Sequence, residues 1–331
     1  MDKMKAASLY GIGDLRVIDI PIPKCNEDEV LIKIKNCGIC GSDIGRVLYK
    51  GTYHFPTVPG HEFSGVIVYD PKGKDKGKRV AVYPLLPCFR CAACASERYA
   101  QCRDYDYYGS RRDGGYAEYI AVKRFNLIYL PNNVSYEEGA MCEPLSVALA
   151  ATKKLEISKG ENILVVGAGP IGIMVGMWAK SFGADKVFYT DIDKNKLEFV
   201  KNFGFSAYND EKVEKVLEGS GAGSGVACAV NAIEPFGKIV LMGNPSGAVS
   251  IDPSSWQNIL RKEITLKGTW NSSFAEKEND WKESIKAISE RKLNIEGLIT
   301  HRVAIEEIFS ALKMMNEHKK FYCKVMIDNE K

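Results

Sequence analysis

The feature that most constrains this chain is a glycine turn, GAGPIG, between a short apolar run and a longer apolar segment. The run at 162–166 (NILVV) has the pattern of a buried strand, and the segment from 170 to about 182 that of a helix. In this context Gly167 makes the tight turn, Gly169 lets the backbone approach a pyrophosphate, and Gly172 allows close helix–strand packing. The turn therefore predicts a dinucleotide at the helix N-terminus, contacted by Gly167, Gly169, Pro170, Ile171 and Gly172. A glycine turn without a ligand is the alternative.

An acidic residue is expected about 20 residues beyond such a turn, at the end of the second strand. Asp191 stands there, directly after the apolar run at 186–190. Its carboxylate would accept hydrogen bonds from ribose hydroxyls and repel a 2′-phosphate, which predicts NAD rather than NADP. Lys194 and Lys196 weaken that preference, and Lys196 is predicted to line the cofactor site.

The length of 331 residues suggests two domains, and the residue pattern changes near residue 145. Before it, short strands such as 29–35 (EVLIKIK) alternate with turns rich in Pro and Gly, which indicates an all-β domain. After it, apolar strands alternate with helices, which indicates a doubly wound parallel sheet. The predicted fold class is α/β plus all-β, and the predicted domain ranges are 1–146, 147–279 and 280–331.

The segment 211–235 does not fit a regular parallel sheet. It must carry a helix, a strand and a second helix, although a parallel crossover alone takes about a dozen residues or more. It also contains GSGAGSG at 219–225, which has the composition of a flexible link. Either the domain is shortened here or part of the chain is missing, and the pattern leaves both possibilities open.

Composition excludes several classes of protein. Lys and Arg number 45 against 42 Asp and Glu, a net charge of +3, so nothing requires a nucleic acid or an anionic membrane as partner. The longest apolar run, at 163–178, is interrupted by glycine and proline and is shorter than a membrane span. We therefore expect a soluble cytoplasmic protein, in which cysteines are thiols or metal ligands rather than disulfides.

Four of the ten cysteines have the spacing C-x2-C-x2-C-x7-C. Four thiolates on one short loop can surround a single tetrahedral ion and leave no open position, which predicts a structural zinc site. An iron–sulfur cluster is the rival. A nucleic-acid-binding zinc ribbon is disfavoured because the loop has no cluster of Lys and Arg. The predicted ligands are Cys88, Cys91, Cys94 and Cys102.

A second group of metal-binding residue types is spread along the chain: Cys40, the pair His61-Glu62, and Glu143. Their spacing alone does not establish a site, since a single histidine is more often structural. Thiolate, imidazole and carboxylate are nevertheless the ligands of a catalytic zinc with an exchangeable position.

The motifs GICGSD, PGHEFSG, the four-cysteine loop, DGGYAEY, CEPLSV and VVGAGPIG occur in this order. In this the chain resembles the zinc-dependent medium-chain dehydrogenases over nearly its whole length. The resemblance implies a GroES-like β-barrel domain interrupted by a Rossmann domain, with two zinc ions per chain and NAD. It also implies a homodimer or homotetramer. The polyol branch is most similar, because Glu143-Pro144 stands where alcohol dehydrogenases carry a cysteine ligand.

This resemblance implies roles for individual residues. Cys40, His61 and Glu62 become the primary ligands of a catalytic zinc, and Glu143 a fourth ligand or the partner of a bound water, with Cys142 as its rival. Ser42 is the candidate that relays the proton of the substrate hydroxyl; a turn-capping serine is the alternative.

Within the polyol branch, the segments 84–89 and 108–115 resemble the family of galactitol-1-phosphate 5-dehydrogenases. This implies oxidation of galactitol 1-phosphate to tagatose 6-phosphate. Arginine forks suit phosphate, and Arg46, Arg111 and Arg112 are the candidates, with surface ion pairs as the alternative. The other hypotheses are an unphosphorylated polyol (sorbitol or xylitol) or threonine dehydrogenase, and a non-catalytic zinc- and nucleotide-binding protein.

Overall fold

The computed structural model describes residues 2–245 and 247–331, and the chain forms two compact units. Unit one comprises Met1–Pro144 and Ser273–Lys331, and unit two comprises Leu145–Ser272. The domain ranges 1–146 and 280–331 for a catalytic domain and 147–279 for a Rossmann domain stay a prediction. Within the described residues, no helix has the length and apolar character needed to cross a membrane.

Unit one is built mainly from short strands, as its alternating sequence predicts. Its strands are β1 (Lys3–Gly11), β2 (Asp14–Pro21), β3 (Glu29–Ile39), β4 (Glu62–Tyr69), β5 (Arg79–Val82), β6 (Leu85–Leu86), β7 (Asp106–Tyr107), β8 (Tyr119–Lys123), β9 (Leu127–Tyr129), β16 (Ile299–Val303) and β17 (Lys324–Asp328). Its helices are α1 (Gly41–Gly45), α2 (Ala92–Ala95), α3 (Tyr136–Ala140), α9 (Asp280–Ser289) and α10 (Ile308–Glu317). The chain passes into unit two within α4 (Cys142–Leu155).

The main sheet of unit one has the order β16-β17-β3-β4-β5-β9, and β8 also pairs with β3. Strand β3 lies at its centre because its alternate side chains Val30, Ile32 and Ile34 are fully buried. They belong to a core that α10 closes with Ile308 and Leu312. The C-terminal strand β17 pairs with β3, so residues from both ends of the sequence of unit one share this sheet, while β1 and β2 pair with each other in a separate two-stranded sheet.

Unit two contains a six-stranded parallel sheet with helices before and after its strands. The strands are β10 (Ile163–Val166), β11 (Val187–Thr190), β12 (Ser206–Ala207), β13 (Val213–Glu218), β14 (Ile233–Leu241) and β15 (Thr265–Gly268), and the helices are α5 (Pro170–Ser181), α6 (Lys194–Phe199), α7 (Gly223–Ala232) and α8 (Pro253–Arg261). The sheet order is β12-β11-β10-β13-β14-β15. This is the doubly wound arrangement with its switch point between β10 and β13.

The irregular segment 211–235 carries β13 and α7 but no helix before β13. Only residues 208–212 connect β12 to β13, which lie three strand spacings apart, or about 14 Å, a distance that five extended residues can span. Tyr208 packs edge-on against Phe188 of β11, with ring centroids 6.2 Å apart, and covers apolar surface on the sheet. The sheet is therefore complete although its crossover is short. The expectation of a flexible link over 219–225 is wrong in part, because α7 begins at Gly223.

Candidate metal centres and dinucleotide site

The four-cysteine loop gathers its thiols around one point. The Sγ atoms of Cys88, Cys91, Cys94 and Cys102 all lie within 4.8 Å of one another. The Cys91–Cys94 separation is 3.6 Å, and the Cys88–Cys94 and Cys91–Cys102 separations are both 3.9 Å. A tetrahedral zinc ion with Zn–S bonds of about 2.3 Å holds its sulfur ligands about 3.8 Å apart. The loop geometry therefore fits zinc, whereas a disulfide would need sulfur atoms about 2.05 Å apart.

The same loop favours the deprotonated form of one thiol. Backbone N–H groups of Arg103 and Cys94 lower the pKa of Cys91 to about 6, because they donate to the thiolate. The N–H of Cys88 donates to the sulfur of Cys102 over 3.3 Å. A thiolate stabilised before metal binding is a ready ligand for a divalent ion.

The second cluster lies where β3 and β4 meet. Cys40 follows the end of β3 and is the N-cap residue of α1, while His61 and Glu62 stand at the start of β4. Gly38 of β3 is paired with Glu62 in the antiparallel ladder, so residues distant in sequence converge. One ligand atom from each of Cys40, His61 and Glu62 lies within 4.8 Å of the others.

Asp43 contacts this cluster through His61, and sequence analysis did not assign it a role. Its fully buried carboxylate accepts hydrogen bonds from Arg46 Nη1 at 2.5 Å and from the Tyr116 hydroxyl at 2.7 Å. It also lies 3.6 Å from Nδ1 of His61, a buried nitrogen that makes no hydrogen bond within the described residues. Although burial opposes the charge, Asp43 raises the pKa of His61.

Lys324 is a second residue that sequence analysis missed. Its ammonium donates to Oε2 of Glu62 at 2.5 Å, and both side chains are almost fully buried, with exposures of 4% and 1%. Burial opposes the charge of Lys324, but Glu62 raises its pKa. The sequence signal that could have revealed it is a single lysine within the otherwise apolar run 322–327 (YCKVMI), where an unpaired charge would be costly to bury.

Glu143 and Cys142 lie at the start of α4, and both are buried. Glu143 is not a member of the three-residue cluster, but burial raises its pKa to about 7, with His61 lowering and Glu62 raising that value. The Cys142 thiol lies 3.8 Å from the carbonyl of Trp281, to which it donates. Ser42 is exposed in the first turn of α1.

The donor set of this cluster fits a zinc ion. Sulfur, nitrogen and oxygen donors are the ligands that zinc binds, and three protein ligands leave a fourth position open, as catalytic zinc sites require. The buried carboxylates of Asp43 and Glu62 are each balanced by one cationic side chain, an arginine and a lysine. Neither cation is left to balance a thiolate at Cys40, and a bound metal ion would supply that positive charge.

The three arginines predicted for phosphate binding have different surroundings. Arg46 donates to Asp43, and Arg112 donates through Nε to Asp106 at 2.7 Å. Arg112 also lines a cavity of about 250 Å³ on unit one. Arg111 is stacked on tyrosine rings and forms no ion pair among the described residues.

The glycine turn has the geometry that its sequence predicts. Gly167 has a φ of 105°, and a Cβ at Gly172 would overlap the carbonyl oxygen of Gly167, so neither position admits a larger residue. A Cβ at Gly169 would meet nothing within 4 Å, which leaves that side open to a ligand. Pro170 is the first residue of α5, Ile171 follows it, and no side chain caps the helix. The free N–H groups of this turn fit the phosphates of a dinucleotide.

Asp191 stands at the end of β11, beside the turn. Its Oδ2 accepts from the N–H of Ala168 at 2.8 Å, which holds the carboxylate next to the glycines. Ile192, missed in sequence analysis, is fully exposed next to it and offers an apolar surface. Lys196 is half-buried in α6.

Comparison with known families identifies the class. Residues 26–132 match the alcohol dehydrogenase GroES-like domain, and residues 170–290 match the zinc-binding dehydrogenase domain. The chain therefore belongs to the zinc-dependent medium-chain dehydrogenases, oxidoreductases that act on CH–OH groups and use zinc and a nicotinamide cofactor. The predicted family, the GroES-like barrel and the Rossmann sheet are confirmed.

Several individual dehydrogenases are similar to this chain over most of its length. The chain is 36% identical over 322 residues to galactitol 1-phosphate 5-dehydrogenase of Escherichia coli K12, covering 91% of this chain and 93% of the relative. It is 30% identical to sorbitol dehydrogenase of Bacillus subtilis, over 98% of this chain and 97% of the relative. It is 32% identical to L-threonine 3-dehydrogenase of Legionella pneumophila, over 90% of this chain and 92% of the relative.

Solved structures of dehydrogenases have the same fold as this chain. The crystal structure of galactitol-1-phosphate dehydrogenase from Escherichia coli superposes with a TM-score of 0.91 at 35% identity, over 98% of this chain and 100% of that one. A zinc-binding dehydrogenase of Sinorhizobium meliloti bound to NADP gives a TM-score of 0.91 at 25% identity, over 99% and 100%. An alcohol dehydrogenase of Escherichia coli CFT073 bound to NADH superposes with a TM-score of 0.89 at 28% sequence identity. The match covers 98% of this chain and 99% of that one.

Proposed function

We propose that this protein oxidises a secondary alcohol of a polyol phosphate and transfers the hydride to NAD, with galactitol 1-phosphate as substrate and tagatose 6-phosphate as product. The observation that carries this proposal is the convergence of Cys40, His61 and Glu62 into an open donor set in a chain that also has a dinucleotide turn. The relative with 36% identity supports the choice of substrate.

Cys40, His61 and Glu62 would hold the catalytic zinc, with Glu143 close enough to influence it. When bound, zinc supplies Lewis-acid chemistry, which lowers the pKa of an alcohol hydroxyl. Asp43 places a negative charge 3.6 Å from Nδ1 of His61, and Lys324 restrains Glu62. Ser42, exposed in the first turn of α1, would relay the hydroxyl proton toward the ribose of the cofactor. A bound nicotinamide would supply the hydride acceptor for the alcohol carbon. The products are a ketone, NADH and a proton.

The cofactor is proposed to be NAD, bound through Gly167, Gly169, Pro170, Ile171, Gly172, Asp191 and Lys196. The Asp191 carboxylate is held beside the turn, where it disfavours the additional phosphate of NADP. The exposed side chain of Ile192 would pack on the adenine. Because one relative binds NADP and another NADH, the preference needs its own measurement.

The second zinc is proposed to be structural and held by Cys88, Cys91, Cys94 and Cys102. Four thiolates close the coordination shell, so this ion takes no part in the reaction. An iron–sulfur cluster could use the same donors, and metal analysis distinguishes the two. The chain would then carry two zinc ions.

A free polyol or threonine is the second candidate for the substrate, because sorbitol and threonine dehydrogenases are also similar over most of the chain. The test follows NADH formation by zinc-replete protein on galactitol 1-phosphate, galactitol, sorbitol, xylitol and threonine. A preference for the phosphorylated polyol supports the proposal, and a preference for a free polyol or threonine overturns the choice of substrate. Inactivity on all five, with NAD binding intact, favours the non-catalytic hypothesis.

We further propose that the protein is a homo-oligomer formed through β15. All four residues of this edge strand are exposed. Leu266 on the strand and Trp270 shortly after it are exposed apolar side chains, and the preceding helix α8 exposes Trp256 and Leu260. An unpaired apolar edge tends to pair with another strand, and a second copy offers an equivalent one. A cytoplasmic location stays a prediction.

A further inference from the structure

Two of the three candidate arginines have their charge balanced by the protein. Arg46 faces the buried carboxylate of Asp43, and Arg112 faces Asp106. Arg111, by contrast, forms no ion pair within residues 2–245 and 247–331 and packs against a tyrosine ring instead. An arginine that is held in place without a carboxylate partner has its charge available for an anionic ligand.

Two tyrosines hold the Arg111 guanidinium. Its Cζ lies 4.4 Å from the ring centroid of Tyr53 and 4.1 Å from that of Tyr105. Nη1 donates to the carbonyl of Tyr105 at 2.9 Å, and Nη2 to the hydroxyl of Tyr53 at 3.3 Å. The remaining Nε is buried and has no hydrogen-bond partner in the part of the chain that the structure describes. Both acceptors are neutral, so they orient the cation but leave its charge uncompensated.

The backbone ties Arg111 to the metal cluster through Tyr107. The carbonyl of Tyr107 accepts hydrogen bonds from the N–H groups of Ser110, Arg111 and Arg112, at 3.4, 3.0 and 3.2 Å. The ring of Tyr107 packs edge-on against His61, with centroids 5.8 Å apart. Arg111 therefore lies on the same tight turn as Tyr107, whose ring contacts the proposed metal ligand His61.

We propose that Arg111 selects the anionic end of a phosphorylated substrate, and that the Tyr53 hydroxyl is a second donor to the same phosphate. This rests on the proposed function, because it takes the reacting alcohol to lie at the Cys40, His61 and Glu62 cluster. The substrate is then held at two points, with its hydroxyl at the metal and its phosphate at Arg111. Tyr53 is 68% exposed, so a ligand can reach its hydroxyl from solvent.

The test compares kcat/KM for galactitol 1-phosphate with kcat/KM for galactitol in the wild type and in Arg111→Ala. Loss of a hydrogen-bonded charge from a phosphate should reduce the ratio about 10- to 100-fold, mainly through the KM of the phosphorylated substrate. The activity that remains on galactitol, which has no phosphate for Arg111 to bind, reports whether the variant is folded. Arg111→Lys should recover part of the preference, because it restores the charge without the planar fork.

Matched controls are Arg112→Ala and Arg16→Ala. Arg112 is the sequence neighbour with a balanced charge, and Arg16 is a surface arginine that is stacked 4.9 Å from the Tyr10 ring and paired with Asp14. Neither should alter the substrate ratio. If Arg112→Ala lowers the ratio and Arg111→Ala does not, the assignment to Arg111 is wrong.

The outcomes separate this inference from the proposed function. A wild type without preference for the phosphorylated polyol overturns both. A wild type with that preference and an unchanged ratio in Arg111→Ala overturns only the role of Arg111. If Arg111→Ala loses activity on both substrates, Arg111→Gln, which keeps a planar group between the tyrosines, replaces it with the same expected ratio, and an unchanged ratio there rejects the proposal.

Discussion

Lys324 and Glu62 are 262 residues apart in the chain, yet their side chains form a buried ion pair with Nζ and Oε2 2.5 Å apart. The pairing of β17 with β3, and of β3 with β4, brings them together. The C-terminal part of unit one therefore supplies the cation that balances a proposed zinc ligand from its N-terminal part. Lys324 also donates to the carbonyl of Ile39 at 3.4 Å, next to Cys40.

Lys324→Met should destabilise the metal-free protein more than the zinc-loaded protein. Removing one partner of a buried ion pair costs about 3–5 kcal/mol, because the other charge is left uncompensated. A zinc ion bound to Glu62 would replace that compensation. Urea denaturation of the wild type and the variant, each with and without zinc, measures the difference. Lys5→Met removes an exposed pair with Glu306 and should cost about 1 kcal/mol or less in either state. An equal loss for Lys324→Met in both states would contradict Glu62 as a ligand.

Gly38→Ala should remove the catalytic metal and leave the structural one. A Cβ at Gly38 would overlap Oε2 of Glu62 and push that carboxylate away from Cys40 and His61. A displacement of about 1 Å at a reacting site can lower turnover roughly 100-fold. Metal analysis should find one zinc per chain instead of two. Gly11→Ala, where a Cβ meets nothing within 4 Å, is the control, and two zinc ions in Gly38→Ala would refute this account.

Cys91→Ser should lose the structural zinc while the Cys40, His61 and Glu62 cluster keeps its metal. The closed four-sulfur shell stabilises a loop with little secondary structure, so its loss should destabilise unit one by on the order of 4 kcal/mol. Thermal denaturation and zinc content provide the measurements. Cys228→Ser, in α7 and outside both clusters, should retain two zinc ions. Unchanged zinc content in Cys91→Ser would exclude this site.

Asp191→Ala should shift the cofactor preference from NAD towards NADP. The variant loses an acceptor for the ribose hydroxyls, which should lower kcat/KM for NAD about 10- to 100-fold, and it no longer repels a 2′-phosphate. Initial rates with both cofactors give the ratio. Asp185→Ala removes an exposed carboxylate from the preceding loop and serves as control. A constant ratio in Asp191→Ala would mean that another residue distinguishes the cofactors.

Leu266→Lys should disrupt the proposed oligomer. The substitution places a charge on an edge strand, which opposes pairing with a second copy. Light scattering after size-exclusion chromatography reports the mass of the assembly. Tyr69→Lys, at an exposed apolar side chain of β4, should leave that mass unchanged. The interface lies elsewhere if Leu266→Lys keeps the mass of the wild type.

Local pattern predicted most of the fold. The apolar run and the glycines around Gly167 predict a strand, a turn and a helix, because each depends on neighbouring residues alone. The strand β16 (Ile299–Val303) was not predicted, because its short polar sequence is extended only through pairing with β17. The missing helix before β13 could not be distinguished from missing chain, because only the sheet order reveals that residues 208–212 span the gap.

The sequence by itself determined the chemistry available to this protein: the four cysteines of the loop, the glycine turn, and the residue types Cys40, His61 and Glu62. Only the tertiary structure decided which charges are balanced. Asp43 and Lys324 compensate groups at the metal cluster, and Arg112 has a carboxylate whereas Arg111 has two tyrosines. Ion pairing depends on distances between side chains that strand pairing and turns bring together, and sequence order does not encode those distances directly.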